Sequence, residues 1–351
     1  MNTLEKIIER IKPLDSTAMH QARQRQDRLT KPRGSLGRLE ELSIQIAGIT
    51  AEPIPRLKHK AILTMAADHG VTAQGVSLYP AEVTRQMVLN FLEGGAAINV
   101  LSRMIGARVI IVDMGVRGGL PAGDGITLKP IALGTKDMSQ GPAMTRGQAI
   151  DCLLAGIDIV EKELKNGLDI LGAGDMGIGN TTSASAITAV ISGQPVSEVT
   201  GRGTGINDQQ LAHKVKIIEQ SLAVNRPDPA DAIDVLAKVG GFEIGGLAGA
   251  MLAAAANHIP VVIDGFISGA AALIATGICP LARDYMIASH LSTEKGHAAC
   301  LKYLNLEPIL KLNLRLGEGT GAALGIFLAE SSVNLLREMA TFSEAGVSDI
   351  Q

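Results

Sequence analysis

A repeated pattern that begins near residue 60 constrains the fold most strongly. Short runs of Val, Ile, Leu and Ala are each followed by polar residues and glycine. Buried strands of parallel sheets have this composition, and ligands of such sheets lie beyond the strands' carboxyl ends. We therefore predict an α/β fold with a mostly parallel sheet and a crevice that collects Asp68, Asp113, Asp175, Asp264, Ser289 and Glu318. The predicted strands are KAILTMAADHG, ARVIIVDMGV, GLDILGAGDMGIGN, HIPVVIDGFISG, DYMIASH and LNLRLGEG. Their order in the sheet does not follow from the sequence.

The composition fits closely packed helices and strands and argues against two kinds of partner. Of the 351 residues, 40 are glycine and only 2% are aromatic, so small side chains dominate the core. A net charge of -3 provides no basic surface for a polyanion. The long apolar stretches 247–264 and 265–282 are interrupted by polar residues, glycine and proline, which favours buried helix and strand over a membrane span. We expect no nucleic-acid partner and no membrane association.

Cysteine and histidine are too scattered for a disulfide framework or a metal site. Cys152, Cys279 and Cys300 lie far apart, and the histidines form no ligand motif. The N-terminal MNTLEKIIERIK is charged and lacks an apolar signal core. We predict reduced thiols, no bound metal, no cofactor and a cytoplasmic protein.

The two ends of the chain differ from the region between them. Residues 1–57 are predicted to be helical and charged, and the proline-rich PIPRLKHK suggests a boundary. The last helix, SSVNLLREMATFSEAGV, resembles the N-terminal helices. We predict a small helical domain from residues 1–57 with 330–351 and a large α/β catalytic domain from 58–329.

Glu318 lies between two glycines in GEGTG, where a ligand can approach the backbone closely. A carboxylate there is poorly solvated, which suits a general base. The alternative is that Glu318 only satisfies the dipole at the N-terminus of the following helix. The residue by itself leaves both interpretations open.

The motif GAGDMG at 172–177 matches GxGxxG, follows a strand and precedes a helix. It raises the alternative of an NAD-dependent dehydrogenase. However, it lies in mid-chain, and no clear strand ends in an acid about twenty residues later. The continuation GIGNTTSA suits a single phosphate at a helix N-terminus, unless the glycines serve packing alone. Asp175 is anomalous there, since a carboxylate beside a phosphate is unfavourable.

Further polar and aromatic residues could complete a binding site. GRGTG at 201–205 echoes GEGTG at 317–321, and Lys214 follows it in a predicted helix, so a phosphate could lie between the two loops. A lone helical lysine is, however, more often solvated. Tyr79, Gln86 and Met87 could line a pocket for a flat aromatic ligand or could simply pack in the core. His69 has no nucleophile to activate and is interpreted as structural or positioning.

Several segments together resemble the nicotinate-nucleotide–dimethylbenzimidazole phosphoribosyltransferase family. They are KPRGSLGRLE, AADHGV, YPAEVTRQMV, GGAAINVLSR, GDMGIGNTTSA, GRGTGI, HLSTEKGH and LRLGEGTGAAL. The resemblance runs in order from about residue 30 to the end. It implies a Rossmann-like large domain, a small helical domain from both termini, a homodimer and a role in building the lower ligand of cobalamin.

The resemblance implies transfer of phosphoribosyl from nicotinate mononucleotide to 5,6-dimethylbenzimidazole, which gives α-ribazole 5'-phosphate and nicotinate. A pyridinium leaves as a neutral ring and needs no acid, whereas the attacking benzimidazole must lose a proton. One general base is therefore required. Glu318 matches the family's catalytic glutamate, and attack opposite nicotinate inverts the sugar carbon. A third alternative is a silent binding protein, but an intact GEGTG loop argues against it.

The family's other binding residues are carried over by position. Those implied at the phosphate and ribose are Gly177, Gly179, Asn180, Thr181, Gly203, Gly205, Lys214, Ser289 and Ser292. Those implied at the base are Tyr79, Gln86, Met87 and Leu316. Asp175 departs from the family, which usually has glutamate in GEMGIGNTT, and we expect it to serve as the second catalytic carboxylate. Because aspartate is shorter, either its contact with the base runs through a water or the enzyme accepts a different base.

Overall fold

The strands of the protein form one parallel sheet in a computed structural model that describes residues 3–121, 123 and 125–348. The strands are β1 (Lys60–Ala67), β2 (Ala107–Gly115), β3 (Ile126–Leu128), β4 (Ile170–Met176), β5 (Val261–Ile263) and β6 (Met286–Ala288). Their order is β3-β2-β1-β4-β5-β6, and every neighbouring pair is parallel. This is the Rossmann order, in which the connections change direction between β1 and β4. The predicted α/β class is confirmed.

Helices connect the strands and flank both chain ends. In the described part of the chain they are α1 (Thr3–Arg10), α2 (Ser16–Gln26), α3 (Arg38–Thr50), α4 (Glu82–Leu92), α5 (Ala97–Ile105), α6 (Arg146–Glu163), α7 (Asn180–Ser192), α8 (Val196–Val199), α9 (Asp208–Asn225), α10 (Ala232–Val239), α11 (Phe242–Ala256), α12 (Phe266–Ile278), α13 (Lys295–Leu304), α14 (Thr320–Glu338) and α15 (Phe342–Ala345). Short 3₁₀ turns occupy Gly70–Gln74, Leu164–Asn166 and Pro280–Tyr285. None of these described helices is long and apolar enough to span a membrane.

One predicted strand is wrong and one short strand was not predicted. The segment LNLRLGEG forms no strand; Leu310, just before it, makes only a bridge to His290. Asn313 adopts a φ of 57°, a left-handed conformation that interrupts an extended ladder. Alternation of Leu and polar residues was therefore a misleading signal. The edge strand β3 has three residues and was missed because its apolar pattern is so short.

Alternating residues of β1 show how the sheet divides the core. Leu63 and Met65 belong to the larger apolar cluster, which also contains α6, α11 and α12 residues. Ile62 and Ala66 belong to a second cluster, with residues of α3, α4, α5 and α14. Successive side chains of a strand point to opposite faces, so the two clusters are the two faces of one sheet. Both faces are covered by helices, as the uninterrupted apolar strands predict.

The two chain ends lie against each other. Ala22, Ile44, Ala47 and Leu336 form a third apolar cluster, and Leu29 bridges Thr341. Other residues of α1 and α3 contribute to the first two clusters, and α14 runs without a break through position 330. The division into two domains stays a prediction, and its residues 1–2 and 349–351 lie outside the described chain.

Candidate active site

A cavity of about 320 Å³ lies where the connections change direction, at the carboxyl end of β4. We call it the central cavity. Its lining residues are Val76, Ser77, Tyr79, Asp175, Met176, Gly177, Ile178, Gly179, Asn180, Thr181, Gly203, Thr204, Glu294, Arg315 and Leu316. Ligands of open α/β sheets bind at this position. The geometry makes the central cavity the candidate active site.

The acidic residues at the strand ends do not all face this cavity. Asp68 accepts a hydrogen bond from the Arg117 amide at 2.8 Å, and Asp113 accepts from the amides of Gly115 and Val116. These two carboxylates hold loops, and neither is a lining residue. The predicted convergence is correct for Asp175, which forms part of the wall.

Glu318 lies behind that wall in a constrained loop. Its φ is +65°, and Thr64 Oγ1 donates to its carbonyl oxygen at 2.9 Å. Its own amide donates to the carbonyl oxygen of Asp175 at 3.1 Å. The Glu318 side chain is buried but is not among the described residues that line the central cavity. Its position is thus fixed against the end of β4.

The Glu318 carboxylate does meet a helix N-terminus, but not the one expected. Oε2 accepts from the amide of Ile98, in the first turn of α5, at 3.3 Å. The amides of Gly319, Gly321 and Ala322 at the start of α14 instead donate to Asp264. Burial raises the pKa of Glu318, and the Ile98 amide acts in the opposite direction. Capping of its own helix is therefore not the role of Glu318.

Two glycines of GAGDMG allow this loop to pack on the sheet. Gly172 and Gly174 lie inside β4, whereas a dinucleotide fingerprint places its glycines in the turn after a strand. A Cβ atom on Gly174 would lie 2.3 Å from the carbonyl oxygen of Glu318. The motif therefore serves close contact between β4 and the Glu318 loop, and its GxGxxG spacing does not indicate an NAD site.

Asp175 is buried between the cavity and the Glu318 loop. Asn180 Nδ2 donates to its Oδ2 at 2.9 Å, and its Oδ1 has no hydrogen-bond partner among the described residues. Burial raises the pKa of Asp175 well above its usual value, and nearby carboxylates of Asp264, Glu243 and Glu318 raise it further. A raised pKa weakens the repulsion between this carboxyl group and a phosphate, which lessens the conflict noted in the sequence.

The predicted phosphate residues gather at the start of α7. Gly177, Gly179, Asn180, Thr181 and Gly203 all line the central cavity. Gly179 precedes the helix with a φ of 93°, and no side chain caps this terminus. The N-terminus of a helix favours an anion through its dipole and its backbone amides.

Lys214 contacts the segment 177–181, which we call the phosphate cradle. It is 1% exposed, and its Nζ donates to Thr181 Oγ1 at 2.7 Å. Burial lowers the pKa of Lys214 to about 8, while the charge of Glu294 acts to raise it. A solvated lysine would have neither the burial nor the partner, so the solvated alternative is wrong.

The other predicted binding residues are distributed around the central cavity. Tyr79 and Leu316 line it and are more than half exposed, at its open side. Ser292 lines an adjoining space of about 60 Å³, and Gly205 lines another of about 350 Å³. Ser289 is fully buried and donates to the carbonyl oxygen of Asp264, so it supports the site without lining it.

Gln86 and Met87 do not reach the central cavity. Helix α4 directs Thr84 and Val88 into the protein, one turn apart. Met87 is half-buried against the second apolar cluster, and Gln86 is exposed on the opposite side of α4. The core-packing alternative is correct for Met87.

The chain is similar to known proteins over nearly its whole length. A family model described as "Phosphoribosyltransferase" matches residues 11–347. Proteins named nicotinate-nucleotide–dimethylbenzimidazole phosphoribosyltransferase from Desulforudis audaxviator and Roseiflexus sp. are each 59% identical over 348 residues, covering 99% of both chains. This chain belongs to that phosphoribosyltransferase family. The crystal structure of CobT from Thermus thermophilus has a TM-score of 0.92 and 45% identity, and the match covers 95% of this chain and all of that chain.

Two charged residues that line the central cavity of this phosphoribosyltransferase family member were not predicted as site residues from the sequence. Glu294 is buried at the N-cap position of α13, and Arg315 donates from Nη1 to the carbonyl oxygen of Gly203 at 3.0 Å. Glu294 stood within the HLSTEKGH segment, which contributed only to the resemblance. Arg315 lies in LNLRL, a segment that was wrongly predicted from the sequence to be a strand. No cluster of His, Cys, Asp and Glu in the described chain could hold a metal.

His69 is placed as interpreted from the sequence. Its Nε2 lies 2.7 Å from Glu243 Oε1, and its Nδ1 lies 3.1 Å from Ser183 Oγ. All three residues are buried. Because both ring nitrogens are occupied, His69 ties the end of β1 to α7 and α11 and has a structural or positioning role.

Proposed function

We propose that this member of the family transfers the phosphoribosyl group of nicotinate mononucleotide to 5,6-dimethylbenzimidazole. The products are α-ribazole 5'-phosphate and nicotinate, for the nucleotide loop that carries the lower ligand of cobalamin. The observation that carries the proposal is one cavity that joins a phosphate cradle, from Gly177 to Thr181, to the carboxyl of Asp175 and the loop of Glu318. The names of the relatives supply the two substrates.

The chemistry needs little more than this arrangement provides. Nicotinate departs from its nucleotide as a neutral pyridine ring, so no acid is required. The sugar carbon becomes electron-poor, and one benzimidazole nitrogen attacks it from the opposite face. This attack inverts the carbon from β to α without a covalent enzyme intermediate. The proton on the other benzimidazole nitrogen must then be accepted by a base.

We propose Glu318 as that base. Burial raises the pKa of Glu318 above its ordinary value, which makes its carboxylate a stronger base. Its bonds to Thr64, Ile98 and Asp175 support a fixed position. Since Asp175 lines the cavity in front of the Glu318 loop, we place the attacking ring against Asp175. Asp175 then contacts the ring or a bridging water and contributes to the choice of base.

We further propose a homodimer, a small helical domain formed by residues 1–57 with 330–351, and a cytoplasmic location. The packing of α2 and α3 against α14 supports the second.

The test incubates purified protein with nicotinate mononucleotide and dimethylbenzimidazole without added metal. The expected product has the mass of α-ribazole 5'-phosphate, with one nicotinate released for each product formed. Absence of both would refute the proposed function. A dehydrogenase would instead bind NAD tightly and transfer hydride, which the same preparation can be assayed for.

A further inference from the structure

Glu294 is a buried carboxylate at the phosphate cradle with unused hydrogen-bonding capacity. It is 6% exposed and lines the central cavity and both adjoining spaces. Its Oε2 has no hydrogen-bond partner among the described residues. Although Glu294 occupies the N-cap position of α13, its side chain makes no capping bond. Its burial is therefore not explained by the helix that it precedes.

The surroundings of Glu294 hold it in this position. Gly201 packs against it so closely that a Cβ atom there would lie 2.1 Å from Oε2. Burial raises its pKa, and the Lys214 charge, the Gly203 amide and the Arg315 charge act in the opposite direction. Lys214 and Arg315 therefore offset part of the cost of burying this carboxyl group. Because Glu294 lines the central cavity, its carboxyl group offers an oxygen acceptor to the occupant of the cavity.

A charged carboxylate is a poor partner for the phosphate itself. Like charges at close range repel, and the N-terminus of α7 together with Lys214 already suits the anion. The remaining polar groups of a phosphoribosyl unit are its ring hydroxyls, which donate hydrogen bonds. They belong to the sugar ring that the phosphate is attached to, so a residue beside the cradle can reach them.

We propose that Glu294 accepts hydrogen bonds from the ribose hydroxyls of the phosphoribosyl group. The inference rests on the proposed function, because it requires a nucleotide whose phosphate occupies the cradle. In this role Glu294 orients the sugar ring, and its negative charge lies near the carbon that becomes electron-poor during transfer. Glu294 is then a substrate-binding residue of the ribose, separate from Glu318 and Asp175 at the base.

The experiment is a cycle that changes the enzyme and the substrate together. Wild type and Glu294→Ala are each assayed with nicotinate mononucleotide and with its 2'-deoxy and 3'-deoxy forms, at saturating dimethylbenzimidazole. In wild type, loss of a bound hydroxyl should lower kcat/KM about tenfold to a hundredfold, the usual effect of a hydrogen bond to a charged group. In Glu294→Ala the unmodified nucleotide should lose a similar factor. Removal of the hydroxyl should then lower the kcat/KM of Glu294→Ala by a further factor of less than about two.

Two further variants separate binding from folding. Glu294→Gln keeps the shape and one acceptor oxygen, so it should unfold at the wild-type temperature and retain part of the hydroxyl sensitivity. Glu219→Ala removes an exposed glutamate from α9 and should match wild type with every substrate.

The losses on deoxygenation decide whether Glu294 binds the ribose hydroxyls. Equal losses on deoxygenation in wild type and Glu294→Ala would overturn the inference. The inference would also be overturned if Glu294→Ala lost affinity for inorganic phosphate by the same factor as for the nucleotide. That result would show that Glu294 acts on the phosphate through Lys214. If wild type makes no product from the unmodified nucleotide, the proposed function fails and the inference fails with it. If wild type is active and the losses are equal, the inference alone fails.

Discussion

Replacement of Gly174 by alanine should impair catalysis although residue 174 does not line the central cavity. A Cβ atom at this position would lie 2.3 Å from the carbonyl oxygen of Glu318 and 2.6 Å from the Gly319 nitrogen. Both neighbours are backbone atoms of the loop that carries the proposed base. Because β4 is held in the middle of the sheet by β1 and β5, the Glu318 loop is the part that must move.

The displacement can be estimated from the same contacts. An ordinary carbon–oxygen contact begins near 3.4 Å, so the loop must shift by roughly 1 Å. Misplacement of a catalytic group by about 1 Å can lower a rate by about a hundredfold. Overpacking of this kind also lowers the free energy of unfolding by about 1–3 kcal/mol. We predict a kcat about a hundredfold below wild type, with KM for nicotinate mononucleotide changed far less.

The neighbouring Gly172 offers a matched control on the same strand. A Cβ atom there would meet the side chains of Ile62, Ile326 and Ala322 at 2.9–3.3 Å and no backbone atom of the Glu318 loop. Gly172→Ala should therefore lose stability, measured by urea unfolding, but keep kcat within a few-fold of wild type. A kcat for Gly174→Ala that falls no more than that of Gly172→Ala would show that displacement of the Glu318 loop does not impair catalysis.

Two other predictions concern the cradle and the base. Asp175→Glu should shift the preference among benzimidazole, dimethylbenzimidazole and adenine in competition assays, because the carboxyl reaches one methylene further into the cavity; an unchanged preference would place Asp175 outside base selection. For Lys214, whose pKa is about 8, kcat/KM for nicotinate mononucleotide should fall as pH rises above about 8, since the lysine loses its proton and its attraction for the phosphate. Lys214→Arg keeps its charge and should move this fall to higher pH. The same fall in both proteins would show that Lys214 is not the titrating group.

Much of the fold was predictable because buried parallel strands leave a local pattern. The run before Asp68 and the run before Asp264 are apolar, short and followed by polar residues, and both are strands of the sheet. The sheet order was not predictable, because it depends on contacts between distant segments. LNLRL shows the limit of local patterns, since a single left-handed residue, Asn313, removes the strand that its alternation suggests.

The site was predictable where function requires a local motif. The glycines and hydroxyls from Gly177 to Thr181 are contiguous in sequence, and they form one wall of the central cavity. The burial of Lys214 and the contact between Gly174 and Glu318 were not predictable, because each is created by a segment far away in the chain. The same distance explains why the position of Glu294 in the wall of the central cavity does not follow from the sequence.

A single turnover by Glu318→Gln with both substrates bound tests whether Glu318 accepts the benzimidazole proton. The variant keeps the size of the side chain but cannot accept the benzimidazole proton. Nicotinate mononucleotide and dimethylbenzimidazole should bind with nearly wild-type affinity in calorimetry. The rate of α-ribazole 5'-phosphate formation should fall about a hundredfold to ten-thousandfold, the usual contribution of a general base. A variant that binds both ligands and turns over at nearly the wild-type rate would contradict the assignment of Glu318 as the base.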